Sequence, residues 1–149
     1  MSTDDRARRL VDQLQTVMEG AEGAVAKNAA VCRALSSQEI RVLHTLGRDE
    51  HCIMGKIAER IRLSLSGVTG LIDRLVEKKL VSRDRSAEDR RVVKVGLTEE
   101  GRELHTSAME SQVEFARGLL KTLNPAEQDE LLALLGKISD RIKSEKKAA

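Results

Sequence analysis

The sequence predicts a mainly α-helical chain with a small β-hairpin, and three features of its 149 residues lead there. Apolar residues recur at three- and four-residue intervals over long stretches at both ends. Between them, two short helical patterns stand about three residues apart, the spacing of a helix-turn-helix. Directly after them, RDRSAEDRRVVKVGLT sets Arg83, Arg85, Arg90 and Arg91 against a run in which Val93, Val95 and Leu97 alternate as in a half-buried strand. Together these make a winged helix-turn-helix with long helical extensions at both termini.

Taken in order, Leu10, Leu14, Val17, Met18, Ala21 and Val25 form one face of a long first helix in a stretch free of proline. In LSSQEIRVLHTL, Ser36 with Glu39 three places later is a capping box, and Ile40, Leu43 and Leu46 supply the inward face of a second helix. Ile53, Ile57 and Ile61, with Ala58, mark a short third helix ending near Arg62. Ser64 caps a fourth, in which Val68, Leu71, Ile72, Leu75 and Val76 follow the i, i+3, i+4, i+7, i+8 pattern.

LVSRD and VVKVGLT then read as the strands of a hairpin whose loop holds Arg85 to Arg90. Thr98 is the N-cap of a long helix with Glu99 and Glu100 in its first turn and Ala108, Val113, Ala116, Leu119 and Leu123 along one side. Asn124 and Pro125 open the last helix, with Glu127 at its third position and a stripe of Leu131, Leu134, Leu135, Ile138 and Ile142.

At this length the expectation is one domain, 1–149. No apolar run approaches the roughly 20 residues that span a bilayer, and MSTDDRARRL lacks the apolar centre of a signal peptide, so a cytoplasmic protein with no membrane partner is expected. Cys32 and Cys52 are expected to be free thiols, because small disulfide-dependent domains carry more cysteines. The net charge of +2 conceals a division along the chain. Residues 1–53 hold 7 Lys/Arg against 8 Asp/Glu, residues 54–98 hold 11 against 6, and residues 99–149 hold 8 against 10, giving −1, +5 and −2. A basic middle between acidic flanks points to one lobe that meets a polyanion. A solvated surface with random charge scatter is the alternative.

The chain therefore divides into a winged-helix reading lobe over 36–98 and a helical dimerisation lobe over 5–32 and 99–146. Long amphipathic end helices would leave apolar stripes exposed in a monomer, and a symmetric dimer buries them most simply. An intrachain bundle would be the other solution.

The stretch LSLSGVTGLIDRLVEKKLVSRDRSAEDRRVVKVGLTEEGREL resembles the recognition helix, wing and following helix of the MarR family of bacterial transcription regulators. DRL, LVSR, DRRVV and LTEEG stand in that family's order and spacing, and the resemblance is close over residues 53–104. One departure is Lys79, where the family commonly has a glycine after the recognition helix.

The resemblance implies a homodimeric, sequence-specific double-stranded DNA-binding regulator, usually a repressor, on a pseudo-palindromic operator. Each protomer would place Ser64 to Lys78 in a major groove. With Val68, Leu71, Leu75 and Val76 inward, Ser66, Gly70, Asp73, Arg74 and Glu77 face outward, and Gly67 and Thr69 lie at the margins. Ser66, Thr69 and Arg74 are the candidates for base or phosphate contacts. Gly67 and Gly70 each cost about 1 kcal/mol of helix stability, which a close approach of the backbone to DNA would offset; crowding against a neighbouring helix is the alternative.

In the wing, the resemblance assigns Arg91 to the minor groove and Asp89 to orienting its guanidinium. Arg90, Arg85 and Arg83 would meet phosphates or pair with Asp84 and Glu88. A hairpin that merely satisfies its own salt bridges is the plainer reading. By the same resemblance, a small anionic or phenolic effector would bind where the first, second and fifth helices meet the reading lobe. No cofactor is expected.

Other chemistries find little support. His44, His51 and His105 with Cys32 and Cys52 form no spaced metal-ligand cluster; the family resemblance would put a peroxide-sensing cysteine in the first helix, whereas Cys32 lies near that helix's end, which weakens a cysteine-based redox sensor. No nucleophile–base pattern stands out, so the chain is not expected to be an enzyme. The lone Phe115 cannot build a base-stacking platform for single strands. A winged-helix module that binds an acidic protein partner is the contrasting class.

Overall fold

The computed structural model describes residues 2–28, 31, 35–49, 51–89 and 91–148, the last three without their side chains. The elements are α1 (Thr3–Ala26), α2 (Ser37–Arg48), β1 (Cys52–Ile53), α3 (Met54–Ile61), α4 (Leu65–Glu77), β2 (Val81–Arg85), β3 (Val93–Leu97), α5 (Glu99–Leu120) and α6 (Pro125–Ala148). They fall into two compact units, residues 1–112 and 113–149, with the boundary inside α5.

Local chemistry sets most helix starts. Ser36 Oγ accepts the Glu39 N–H at 3.3 Å while Glu39 Oε2 accepts the Ser36 N–H at 2.7 Å, completing the expected capping box. Ser64 Oγ accepts the Gly67 N–H at 3.1 Å. Asn124 and Glu127 exchange the same pair of bonds, at 2.8 and 3.1 Å, to open α6. Each satisfies N–H groups that a helix start would otherwise leave bare.

The core of the first unit is built from α2, α3, α4 and the sheet, with Leu43, Leu46, Ile57, Leu71, Ile72, Leu75 and Val95 almost wholly buried. The sheet is antiparallel in the order β1-β3-β2. Val81 pairs with Leu97 and Arg85 with Val93 across the hairpin, and Cys52 pairs with Val95 on the other edge.

Four expectations give way. The first helix stops at Ala26, short of the expected 32. There Asn28 Nδ2 donates to Ser107 Oγ at 2.8 Å and Ser111 Oγ at 3.1 Å, diverting the chain toward α5. Cys32 lies outside the described residues. Ile53 is not a helical core residue but half of the short strand β1, 47% exposed, because pairing with Lys94 takes its backbone first. Val76 is 39% exposed, whereas Ile72 is buried: the four contacts Val68, Leu71, Ile72 and Leu75 already fill the inward face. Arg85 belongs to β2 and not to the loop, since the ladder continues to a Ser86 N–H bond on Val92 O at 2.9 Å.

The end of α4 explains both Lys79 and the glycine of LTEEG. Lys79 is left-handed at φ 61°, and the Leu80 N–H reaches Leu75 O while the Lys79 N–H reaches Val76 O, both at 2.9 Å, the paired bonds of a Schellman turn. Thr98 ties this turn down, its hydroxyl donating to Lys79 O at 2.7 Å and its N–H to Leu80 O at 3.1 Å. A Cβ on Gly101 would sit 2.0 Å from Leu80 O, so the start of α5 rests directly on the turn.

A side chain in the left-handed region is strained, and glycine relieves this at some entropic cost in the unfolded chain. Lys79→Gly is expected to stabilise the protein by about 0.5–1 kcal/mol, a rise of roughly 2–4 °C in Tm, read by thermal unfolding at fixed protein concentration. A lower Tm would show that the lysine side chain contributes more than its backbone costs.

Candidate nucleic-acid interface

Ser66, Gly67 and Arg74 are exposed on α4, and Thr69 and Gly70 are half-buried. A Cβ on Gly67 would meet only Ser64 Oγ at 3.2 Å and Leu63 Cβ at 3.8 Å, and one on Gly70 only Arg74 Nη1 at 3.8 Å. Among the described residues no neighbouring helix crowds either glycine, which removes that explanation for them. What they leave is a low helix surface with backbone accessible from outside.

The helix is held at its C-terminal end. Glu39, 2% exposed, receives Lys78 Nζ at 2.8 and 2.9 Å and faces Arg74 Nε at 3.5 Å, besides closing the cap of α2. Burial alone would raise its carboxyl pKa, but the hydrogen bonds from Lys78 and Ser36 and the Lys78 charge outweigh it and hold the group below its ordinary 4.5. This role was hidden in the sequence, where Glu39 registers only as half of a capping box. Arg74 is thus anchored through Nε, its side chain still about half exposed.

The wing is tied to the same helix. Arg83 Nη2 lies 2.7 Å from Asp73 Oδ1 and 3.4 Å from Thr69 O, replacing the expected pairing with Asp84 or Glu88. Adjacent strand residues point to opposite faces, so Arg83 turns toward α4 and away from Asp84. An open groove of about 390 Å³ runs between helix and wing, lined by Met54, Thr69, Arg83, Asp84, Arg85 and Val93.

At the tip, Asp89 does not orient the Arg91 guanidinium as expected; no ion pair joins the two side chains among the described residues. Asp89 Oδ1 accepts the Arg91 backbone N–H at 2.9 Å, and Asp89 O accepts the Val92 N–H at 3.0 Å. A short carboxylate two residues before an N–H reaches that backbone more readily than the end of a long side chain. Ser86, 6% exposed, braces the loop by accepting the Glu88 N–H at 3.3 Å. Arg91 is exposed, and Arg90 lies outside the described residues.

Two further clusters bear on the expected effector and thiol chemistry. A cleft of about 10 Å³ between α2 and α5 is lined by Leu43, His44, Leu104, His105, Met109 and Gln112, among others, room for about one water. The rings of His44 and His105 lie 5.8 Å apart, and His105 Nε2 is buried without a hydrogen-bond partner among the described residues. Burial pushes both imidazoles below their ordinary value, His44 also through Arg48 and His105. Nothing in the spacing of these two histidines foretold their meeting. Cys52 is 1% exposed, and burial, then Asp49, raises its thiol pKa. A buried thiol with a raised pKa is the reverse of a reactive thiolate.

The MarR family model matches residues 35–93. The HTH-type transcriptional regulator YfiV of Bacillus subtilis is 33% identical over 113 residues, covering 76% of this chain and 71% of that one. This chain belongs to the MarR family and is a transcriptional regulator with a DNA-binding winged helix, not an enzyme. Its fold is that of Streptococcus pneumoniae FabT, solved in complex with DNA (TM-score 0.77, 18% identity, 93% of this chain and 98% of that). Bordetella bronchiseptica BpsR, whose DNA binding is regulated by 6-hydroxynicotinic acid, is similar at TM-score 0.64 and 26% identity, over 87% of this chain and 91% of that.

Because the folded-state pKa of Glu39 is depressed, its stabilising effect is present above pH 4.5 and lost as pH falls through the lower folded value. Glu39→Gln should cost on the order of 2 kcal/mol near pH 7, where a charged hydrogen bond is broken. In denaturant titrations the gap between variant and wild type should narrow as pH falls below 4.5 and close once it is below the depressed folded-state value. A gap that persists in acid would mean that shape, not charge, gives Glu39 its effect.

Proposed function

We propose that the chain is a ligand-responsive repressor that acts as a homodimer on a pseudo-palindromic duplex operator. The observation that carries the DNA side of this reading is the Arg83 bridge, which links the wing to α4 through Asp73 and Thr69. It sets a groove-sized helix and an arginine-tipped hairpin at a fixed spacing. In this reading Ser64, Ser66, Gly67, Thr69 and Gly70 approach the major groove, and Arg74, held by Glu39 through Nε, offers its outer nitrogens to phosphate. Arg83, Arg85 and Arg90 neutralise the backbone, while Asp89 shapes the turn that presents Arg91 to the minor groove.

The homodimer rests on exposed apolar stripes. Leu10, Leu14, Val17 and Met18 of α1 are 46–62% exposed, and Leu134, Leu135, Ile138 and Ile142 of α6 are 46–51% exposed. Helices so apolar on one side are stabilised by packing more than by propensity, and a second copy supplies it. An anionic or phenolic effector, of the kind named for BpsR, would act by widening the cleft between α2 and α5.

Fluorescence anisotropy with duplex from upstream of the gene should reveal steeply salt-dependent binding, with a preference over scrambled duplex on the order of 1,000-fold. Arg91→Ala should weaken it at least tenfold, lower the salt slope by about one per protomer contact and leave Tm unchanged. Undiminished affinity would remove Arg91 from the interface. In sedimentation, Leu135→Asp combined with Ile138→Asp should shift wild-type dimer toward monomer; a wild type that sediments as monomer would refute the dimer outright.

A further inference from the structure

We infer that α4 distinguishes operator bases chiefly through thymine methyl groups, with Leu65 as the side chain that reads them. The inference deepens the DNA-binding reading above and stands only with it. Hydrogen-bonding groups at the head of the helix are partly engaged inside the protein. Ser64 Oγ caps the Gly67 N–H at 3.1 Å and lies 3.1 Å from Ser66 Oγ. Thr69 Oγ1 turns back to donate to Leu65 O at 2.8 Å. Gly67 and Gly70 have no side chain to offer, and Arg74 and Arg83 are held by Glu39 and Asp73. What the head of the helix keeps for direct hydrogen-bond readout is the Ser66 hydroxyl and the remaining lone pairs of Ser64 and Thr69.

Leu65 stands apart from this. It occupies the first position of α4, and it is 57% exposed although apolar. Thr69, half-buried one turn on along the same face, donates its hydroxyl proton to the Leu65 carbonyl. Residues at the start of a recognition helix are those that meet base edges. The major-groove edge of a base pair carries one apolar group, the C5-methyl of thymine. A leucine at that position gains by burying this methyl and gains nothing from guanine, cytosine or adenine, so each half-site should hold a thymine beneath Leu65.

Replacing thymine by deoxyuridine deletes the methyl and preserves every hydrogen-bonding group. The test takes the tightest duplex selected by the full-length protein from a random-sequence pool and compares its thymine and deoxyuridine forms. Wild type should bind the deoxyuridine form about fourfold more weakly for each methyl buried, and Leu65→Ala should bind the two forms equally, with unchanged thermal stability. Leu65→Met should retain most of the discrimination. Equal wild-type affinity for both forms, or discrimination that survives in Leu65→Ala, overturns the assignment while leaving the regulator reading intact. Failure of the pool to yield any preferred sequence overturns both.

Discussion

The carboxylate of Glu39 lies beneath the reading helix and makes three contacts that join α2 to α4. It closes the cap of α2, receives the ammonium of Lys78 and faces Arg74 one turn earlier on α4. A carboxylate removed from water is tolerated only where charge and hydrogen bonds surround it. Its partners are therefore constrained in position, and with them the roll of α4 about its own axis. That roll decides which residues face outward, since four of them, Val68, Leu71, Ile72 and Leu75, are already committed to the core.

The rest of the reading lobe adds attachments to this fixed helix. Its far end is a left-handed turn clasped by Thr98, on which Gly101 lets α5 sit without a side chain between them. Its outer face is tied through Asp73 and Thr69 to Arg83 of the wing, and the wing tip is shaped by Ser86 and Asp89. Charges that read as a DNA-binding cluster in the linear sequence are thus of two kinds. Arg74 and Arg83 hold elements together and expose what remains, whereas Arg91 projects from the turn. The same α2 that carries Glu39 also carries His44, so the cleft against α5 and the support of α4 share one helix.

Much of this was legible in the sequence because it depends on neighbours along the chain. Capping boxes at Ser36 and Asn124, the helical stripe of α4 up to Leu75 but not Val76, and the alternation of Val93, Val95 and Leu97 each express interactions within about four residues, and each was found where its pattern indicated. The motif resemblance located the family, which the match over residues 35–93 bears out. Sequence and structure part at edges, where two local tendencies compete: Ile53 continues the helical stripe of Ile57 and Ile61 but is β-branched, and pairing with Lys94 decided for the strand.

What the sequence alone determined, then, is the succession of elements, the winged-helix class and the set of residues from which an interface can be drawn. Tertiary structure decided their employment. Glu39 meets Lys78, Arg83 meets Asp73, and His44 meets His105 only because helices and strands distant in the chain are packed together. Ion pairs and buried polar contacts fall off within a few ångströms and depend on direction. Sequence separation carries no record of such distances, so the pattern could name the charged residues but not say which would be turned inward to hold the fold and which left to face a ligand.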